Sequence, residues 1–205
     1  MMNKRITGPE RRAQIIDVAL DIFAEKGFTG TRTKDIAAKA GISETLIFQH
    51  FKTKGKLYHE ALISLFSGHP VMPELADKIA QCDDVGVLST LAGHMIHHSR
   101  KDPRIIRLAI WNGLEGLRLA ERHDHHKSED SHRSPEQALT HYIQARVRSG
   151  AFRSLDPELV TRLFIQTIMM FAADQELHLF GPPLPHSDDA AVKTLVSMFL
   201  DGMKA

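Results

Sequence analysis

Cysteine is almost absent from this chain of 205 residues, because Cys82 is its single example. One cysteine cannot form an intramolecular disulfide or a cysteine-based zinc site. The chain also lacks an apolar segment near its N-terminus, and it has no run of about 18 uncharged apolar residues, the minimum for a membrane-spanning helix. These absences predict a cytoplasmic protein that does not enter a membrane.

A strong excess of charge of one sign is also missing, since the formal net charge is +1. The charges are nevertheless unevenly distributed. Residues 1–57 contain eleven Lys and Arg against six acids, a net charge of +5, which leaves −4 for the rest of the chain. A basic segment on a more acidic chain favours a module that binds phosphates, because affinity for duplex DNA depends on the release of counterions. An ordinary basic solvated surface is the alternative.

Apolar residues recur at helical spacing along the whole chain, and no alternating pattern typical of strands competes with it. Glycine, proline and polar clusters divide the pattern into segments. The sequence therefore predicts an all-α protein. The expected helices cover residues 9–26, 34–40, 44–51, 56–66, 74–81, 84–101, 103–121, 135–150, 156–180 and 188–203.

Two of the short helices, 34–40 and 44–51, are joined by a turn that contains Gly41, and a basic turn follows the second. This order is typical of a helix-turn-helix, in which the second helix enters the major groove of DNA. The apolar positions expected to face inward are Ile36, Ala37, Ala40, Ile42, Ile47 and Phe51. The face expected to point outward carries Glu44, Thr45, Phe48, Gln49 and His50, with Lys52 and Lys54 after it.

Residues 27–62 resemble the N-terminal signature of the TetR family of regulators. The positions that carry the resemblance are Gly27, Thr31, Thr33, Ile36, Ala37, Ala40, Gly41, Ser43, His50, Phe51, Lys54 and Leu57. Residues 102–116 and 150–164 resemble the C-terminal domain of the same family more weakly. The resemblance implies a helix-turn-helix domain of three helices at 1–53 and a helical bundle for ligand binding and dimerisation at 54–205. It also implies a regulator without enzymatic activity or cofactor.

Carried over to this sequence, the resemblance implies that Thr33 and Lys54 hold phosphates, and that Gln49 makes the best candidate for a bidentate contact to adenine. Two positions depart from the family pattern. Phe48 stands where the family often has Tyr, and Glu44 places an acid towards a polyanion. Glu44 must therefore accept from a cytosine amino group or pair with a nearby Lys. The predicted DNA-binding residues are Arg32, Thr33, Ser43, Glu44, Thr45, Phe48, Gln49, His50, Lys52 and Lys54.

The last two long helices are more apolar than one buried stripe requires, which predicts a second apolar face for a homodimer. The residues behind this expectation are Leu159, Leu163, Ile165, Ile168, Met169, Phe171, Ala172, Val192, Leu195, Val196, Phe199 and Leu200. A small-molecule effector is expected in a pocket lined by Met, His and aromatic side chains, although each could instead be ordinary core. The predicted lining is Met95, His98, Ile110, Trp111, Leu114, Tyr142, Met169 and Phe171.

Three classes of function remain possible from the sequence. The favoured one is a repressor that a small-molecule effector releases from double-stranded operator DNA. A second is an architectural DNA-binding protein whose bundle only dimerises. A third is a metal-dependent enzyme built on His94, His98 and Asp102, which we disfavour because no phosphate loop or nucleophile elbow accompanies them. No metal site is expected at His94, His97 and His98 or in the His-rich run 123–132.

Overall fold

The computed structural model describes residues 7–67, 71–116 and 134–205. Within these ranges the chain is helical, and an isolated bridge between Phe152 and Lys204 is the one extended pairing. The all-α prediction is confirmed. The helices are α1 (Gly8–Gly30), α2 (Thr33–Ala40), α3 (Glu44–Phe51), α4 (Lys54–Ser67), α5 (Met72–Ala80), α6 (Asp84–Lys101), α7 (Arg104–Leu114), α8 (Pro135–Arg148), α9 (Pro157–Leu177) and α10 (Asp188–Met203).

Two helices differ most from their expected lengths. α1 continues to Gly30 instead of ending near residue 26, and Gly27 interrupts it with φ 71° and ψ 179°. α7 ends at Leu114 rather than at residue 121, because Gly116 adopts φ 63° and its N–H bonds to the carbonyl of Gly113 in a turn. The remainder of the expected helix, from residue 117, lies outside the described residues. Glycine, which has no Cβ, accommodates both breaks.

The first compact unit contains residues 7–67 and 107–116 of the described chain. Its core joins side chains of α1 to α4 with Leu108 of α7, and Phe23 and Tyr58 are fully buried there. This unit reaches beyond the boundary expected at 53/54, because α4 packs against α1 and contributes Leu57 and Ala61 to the same core. The apolar face of α4 is thus used within the N-terminal unit.

The second compact unit contains residues 71–106 and 134–205. In it α6 packs against α9, α10 and α5, and α8 packs against α9. Because α6 covers one face of both α9 and α10, four of the apolar residues on these two helices lie in this unit's own core. They are Ile168, Ala172, Val196 and Leu200. These four account for a buried stripe, and a second apolar face for a homodimer stays a prediction.

A half-buried ionic contact ties α6 to α8 in the second unit. The Tyr142 hydroxyl donates to Oδ1 of Asp84 at 2.5 Å, and the Arg146 guanidinium holds both carboxylate oxygens, each at 2.8 Å. Burial, and next the bond to Asp84, raise the pKa of Tyr142 well above its ordinary value. The contact fixes the first turn of α6 against the neighbouring helix.

None of the described helices combines the length and the apolar character that crossing a membrane requires.

Candidate nucleic-acid interface

Helices α2 and α3 form a compact helix-turn-helix. Gly41 ends α2 in the left-handed conformation, with φ 67° and ψ 36°, and the hydroxyl of Ser43 begins α3 by accepting from the N–H of Leu46 at 3.2 Å. The inward positions that the sequence predicts are buried, apart from Ile42, which is half-buried. Ile36, Ile47 and Phe51 are at most 1% exposed, so the angle between the two helices is set by packed side chains.

The opposite face of α3 is open to solvent. Glu44, Thr45 and Gln49 are exposed, Phe48 is 40% exposed, and His50 is half-buried beside Phe51. An aromatic side chain with this exposure on a short helix provides an apolar surface next to polar groups. This face has the mixed character that contacts to base edges and thymine methyl groups need.

Glu44 makes a contact that the sequence did not predict. Its carboxylate accepts a hydrogen bond from the hydroxyl of Thr33, and it makes no ion pair with a lysine in the described chain. The acid is thereby held at the first turn of both α2 and α3, where helix dipoles favour negative charge. The side chain of Arg32 does not cap the start of α2. The Glu44 carboxylate therefore lies at an uncapped helix end, which a phosphate would approach.

Lys54 has a structural role in addition to the predicted one. Its ammonium donates to the carbonyls of Phe28 at 2.8 Å and Thr31 at 3.0 Å, and it lies 4.3 Å from the centre of the Phe28 ring. These carbonyls belong to the end of α1, where a cation is favoured. Two of its three donors are therefore engaged, and its contact to a phosphate remains a prediction.

The other basic side chains of this unit fall into two groups. Arg12 pairs with Glu60, and Lys39 pairs with Asp21. By contrast, four exposed cations make no ion pair with any described residue, and they lie at the start of α2 and on either side of the α3–α4 turn. They are Arg32, Lys34, Lys52 and Lys56. Lys34 and Lys56 are not among the DNA-binding residues predicted from the sequence, although each lies within two positions of a predicted phosphate contact.

The end of α1 is also bound from α7. The carboxylate of Glu115 accepts from the N–H of Phe28 at 3.0 Å and from that of Thr29 at 2.9 Å. Asn112 accepts from the Tyr58 hydroxyl at 2.9 Å, and Trp111 lies directly against Gly27. The turn between α1 and α2 is thus held by Lys54 through its carbonyls and by Glu115 through its amides.

The predicted pocket residues are distributed over both units. Trp111 packs within the first unit, Leu114 is 73% exposed, and Tyr142 is engaged with Asp84 in the second. Ile110 is 36% exposed, and Phe171 lines a groove of the second unit. That these eight residues line one pocket therefore stays a prediction. The remaining three, Met95, His98 and Met169, are half-buried in the second unit.

The histidines of α6 stack on one another, with ring centres of His94 and His98 separated by 4.3 Å. Among the described residues, no three His, Cys, Asp or Glu side chains come together as a metal site would need. The His-rich run 123–132 lies outside the described residues.

The fold and the open face of α3 define a helix-turn-helix protein, and comparison with known proteins shows what it is similar to. Residues 15–61 match the family of bacterial regulatory proteins called the tetR family. The HTH-type transcriptional regulator YvkB of Bacillus subtilis is 45% identical over 56 residues, which are 27% of this chain and 29% of YvkB. The HTH-type transcriptional regulator AcrR of Shigella flexneri is 25% identical over 84% of this chain and 80% of its own length.

The fold of the whole chain is similar to that of a solved relative. The TetR family transcriptional regulator PfmR of Thermus thermophilus superposes with a TM-score of 0.65 at 19% identity, covering 93% of this chain and 99% of that one. Similarity in sequence to the tetR family thus covers residues 15–61, and the fold is that of a solved TetR family regulator. The proteins named here are transcriptional regulators. The chain spans less than a third of the length of YvkB, so sequence similarity is concentrated in the helix-turn-helix unit.

Proposed function

We propose that this chain is a transcriptional repressor that binds double-stranded operator DNA through α3. The observation that carries the proposal is the solvent-open face of α3, flanked by exposed cations that no described acid neutralises. Such a surface places side chains against base edges while the surrounding charges hold the sugar-phosphate backbone.

The proposed contacts divide into two kinds. Gln49 reads an adenine, with Thr45 and Phe48 beside it, and Ser43 and His50 border the groove. Arg32, Thr33 and Lys52 position the helix on phosphates, with the remaining donor of Lys54 in the same role. This division predicts that the two kinds of contact respond differently to substitution.

We propose that the protein acts as a homodimer in the cytoplasm. Apolar side chains remain exposed on the face of α9 turned away from α6, and Leu159 is 55%, Leu163 48% and Met170 52% exposed. On α10, Met198 is 69% exposed. A twofold dimer formed by α9 and α10 covers these groups and presents two α3 helices to two half-sites. A small-molecule effector then weakens DNA binding by favouring a different arrangement of the dimer.

Substitution of Gln49 and Lys52 tests the proposed contacts. We expect Lys52→Ala to weaken binding to every duplex and to reduce the slope of log K against log salt by about 0.9 for each lost phosphate contact. Gln49→Ala should instead lose about 1–3 kcal/mol of discrimination at one base pair. Fluorescence anisotropy measures both, with a duplex selected by the wild-type protein and a shuffled duplex. Equal losses on the two duplexes for Gln49→Ala contradict its assigned role.

Neutralising Glu44 gives a second prediction for this surface. Because its carboxylate stands beside Thr33 at the start of α2, we expect Glu44→Gln to raise affinity for the shuffled duplex about fivefold, roughly the 1 kcal/mol of repulsion expected near solvent. Glu25→Gln removes the same charge from an exposed site on α1 and should change affinity less. If Glu44 reads a cytosine, Glu44→Gln also weakens binding to the selected duplex. Equal effects of the two variants would show that only total charge matters.

A further inference from the structure

The second unit contains a groove that none of the contacts discussed above occupies. It lies between the C-terminal ends of α6 and α9 and the loop that leads to α10, and its volume is about 490 Å³. Cavities of roughly 300–1,000 Å³ accommodate small organic ligands. Its walls are mainly apolar and include Ile96, Phe171, Ala172 and Leu184.

One polar group in this groove has no partner. The side-chain oxygen of Gln175 accepts from the N–H of Leu184 at 3.1 Å, which fixes the orientation of the amide. Its Nε2 is buried and makes no hydrogen bond to any described residue. A buried donor left unsatisfied is destabilising, so a ligand that supplies an acceptor here gains both the bond and relief of this cost.

The charges around the groove decide which kind of acceptor fits. The Arg100 side chain is already paired with Asp188, with 2.6 Å between Nε and Oδ1, and the Ser99 hydroxyl donates to the carbonyl of Met95 at 2.8 Å. Glu176 and His186 also line the groove, so together with Asp188 beside Arg100 its carboxylates are at least as many as its basic groups. An anionic ligand would lose its hydration in this groove, with no surplus positive charge to compensate for the loss. A neutral oxygen needs only the hydrogen bond from the amide of Gln175.

We propose that this groove binds a neutral, largely apolar small molecule whose carbonyl oxygen accepts a hydrogen bond from Nε2 of Gln175. The inference rests on the proposed function, in which this ligand is the effector. The apolar body of the ligand packs against Phe171 and Ile96, and the loop around Leu184 closes over it. This ligand class follows from the unpaired Nε2 of Gln175, the apolar walls of the groove and the absence of spare positive charge.

Three naphthalene probes test the proposal on the full chain. Prodan is a neutral naphthyl ketone whose emission reports polarity, dimethylaminonaphthalene lacks its carbonyl, and dimethylaminonaphthoate replaces the ketone by a carboxylate. We expect Prodan to bind at least about fivefold more tightly than either of the others, the effect of one hydrogen bond to a buried donor. Equal affinity of Prodan and the carbonyl-free probe, or no binding of Prodan, overturns the proposal without any variant.

Gln175→Glu is the matching variant, because it keeps the oxygen that holds Leu184 and removes the donor. We expect it to weaken Prodan binding about tenfold and to leave the carbonyl-free probe unchanged. Gln81→Glu makes the same replacement at an exposed position and should change neither. An unchanged Prodan affinity in Gln175→Glu assigns the probe to another site and overturns the proposal.

Binding of the selected duplex is measured separately, so that the two proposals fail independently. Release of the duplex by Prodan in the wild type, but not in Gln175→Glu, supports the groove as the effector site. If Prodan binds through its carbonyl but the duplex stays bound, the groove is not the effector site. If no duplex is bound at low salt, the proposed function fails, while the probe comparison still decides the groove.

Discussion

Gly27→Ala should lower the free energy of unfolding by roughly 4 kcal/mol, which combines backbone strain with overpacking. Gly27 has φ 71° and ψ 179°, a conformation that is essentially restricted to glycine. A Cβ built at this position lies 2.6 Å from Oε1 of Glu115 and 2.8 Å from the Trp111 ring. Neither neighbour moves away easily, because Glu115 holds two amides of the turn and Trp111 is half-buried.

Two other glycines separate the causes of this loss. Gly41 has φ 67° but no heavy atom within 4 Å of a built Cβ, so Gly41→Ala should cost only strain, about 1–2 kcal/mol. Gly30 has no positive φ, and its nearest contact is 3.5 Å, so Gly30→Ala should change stability by less than about 0.5 kcal/mol. Urea denaturation followed by circular dichroism measures all three. If Gly27→Ala lowers the free energy of unfolding no more than Gly41→Ala does, the turn moves freely away from α7.

A loss at Gly27 should also extend to DNA binding. The turn that Gly27 begins leads directly to Arg32 and Thr33 at the start of α2. Displacing it shifts the backbone that carries the proposed phosphate contacts, so affinity for every duplex should fall together. Glu115 and Lys54 both hold this turn, and both act through its main-chain atoms.

The helix-turn-helix could be predicted from sequence because its determinants are local. The cap at Ser43, the left-handed Gly41 and the inward spacing of Ile36, Ile47 and Phe51 each depend on residues a few positions apart. The same locality explains why the exposed face of α3 was predicted correctly except at His50, which is half-buried. Periodicity shows which residues share a face, and on so short a helix it leaves little choice.

Contacts between distant residues could not be predicted in this way. Glu115 binds amides 86 and 87 positions away, and the ammonium of Lys54 binds carbonyls 23 and 26 positions away. Apolar periodicity also cannot tell a core facing the same chain from one facing a partner. On α9, for example, Ile168 is buried under α6, whereas Leu159 on the same helix is exposed.

The groove at Gln175 was missed for a related reason. The residues predicted to line a pocket are mostly Met, His and aromatic residues, which are equally common in an ordinary core. A glutamine near the end of α9 has no distinctive sequence pattern. Its importance depends on one oxygen engaged by Leu184 and one nitrogen left without a described partner.

Asp84→Asn should lower the free energy of unfolding by about 2–3 kcal/mol, because it leaves Arg146 and Tyr142 facing a neutral amide. The lower end of the range for buried pairs applies, since the Asp84 and Arg146 side chains are 19% and 22% exposed. Asp77→Asn removes an exposed acid from α5 and should cost less than about 0.5 kcal/mol. Equal losses in the two variants would contradict a stabilising role for the contact.

The pH dependence of stability provides an independent readout of the same contact. Folding raises the pKa of Tyr142, first through burial and then through the bond to Asp84, above the ordinary value of 10.0 that it keeps in the unfolded chain. As the pH rises past that value, the unfolded state releases a proton that the folded state retains, and stability falls. Tyr142→Phe should make the decline between about pH 9 and 11 shallower, because no phenol remains to ionise. Asp84→Asn should reduce the decline less, because burial of the phenol persists when the carboxylate is gone. Denaturation curves across this range separate the two contributions, and an equally steep decline in Tyr142→Phe would assign the alkaline loss to other groups.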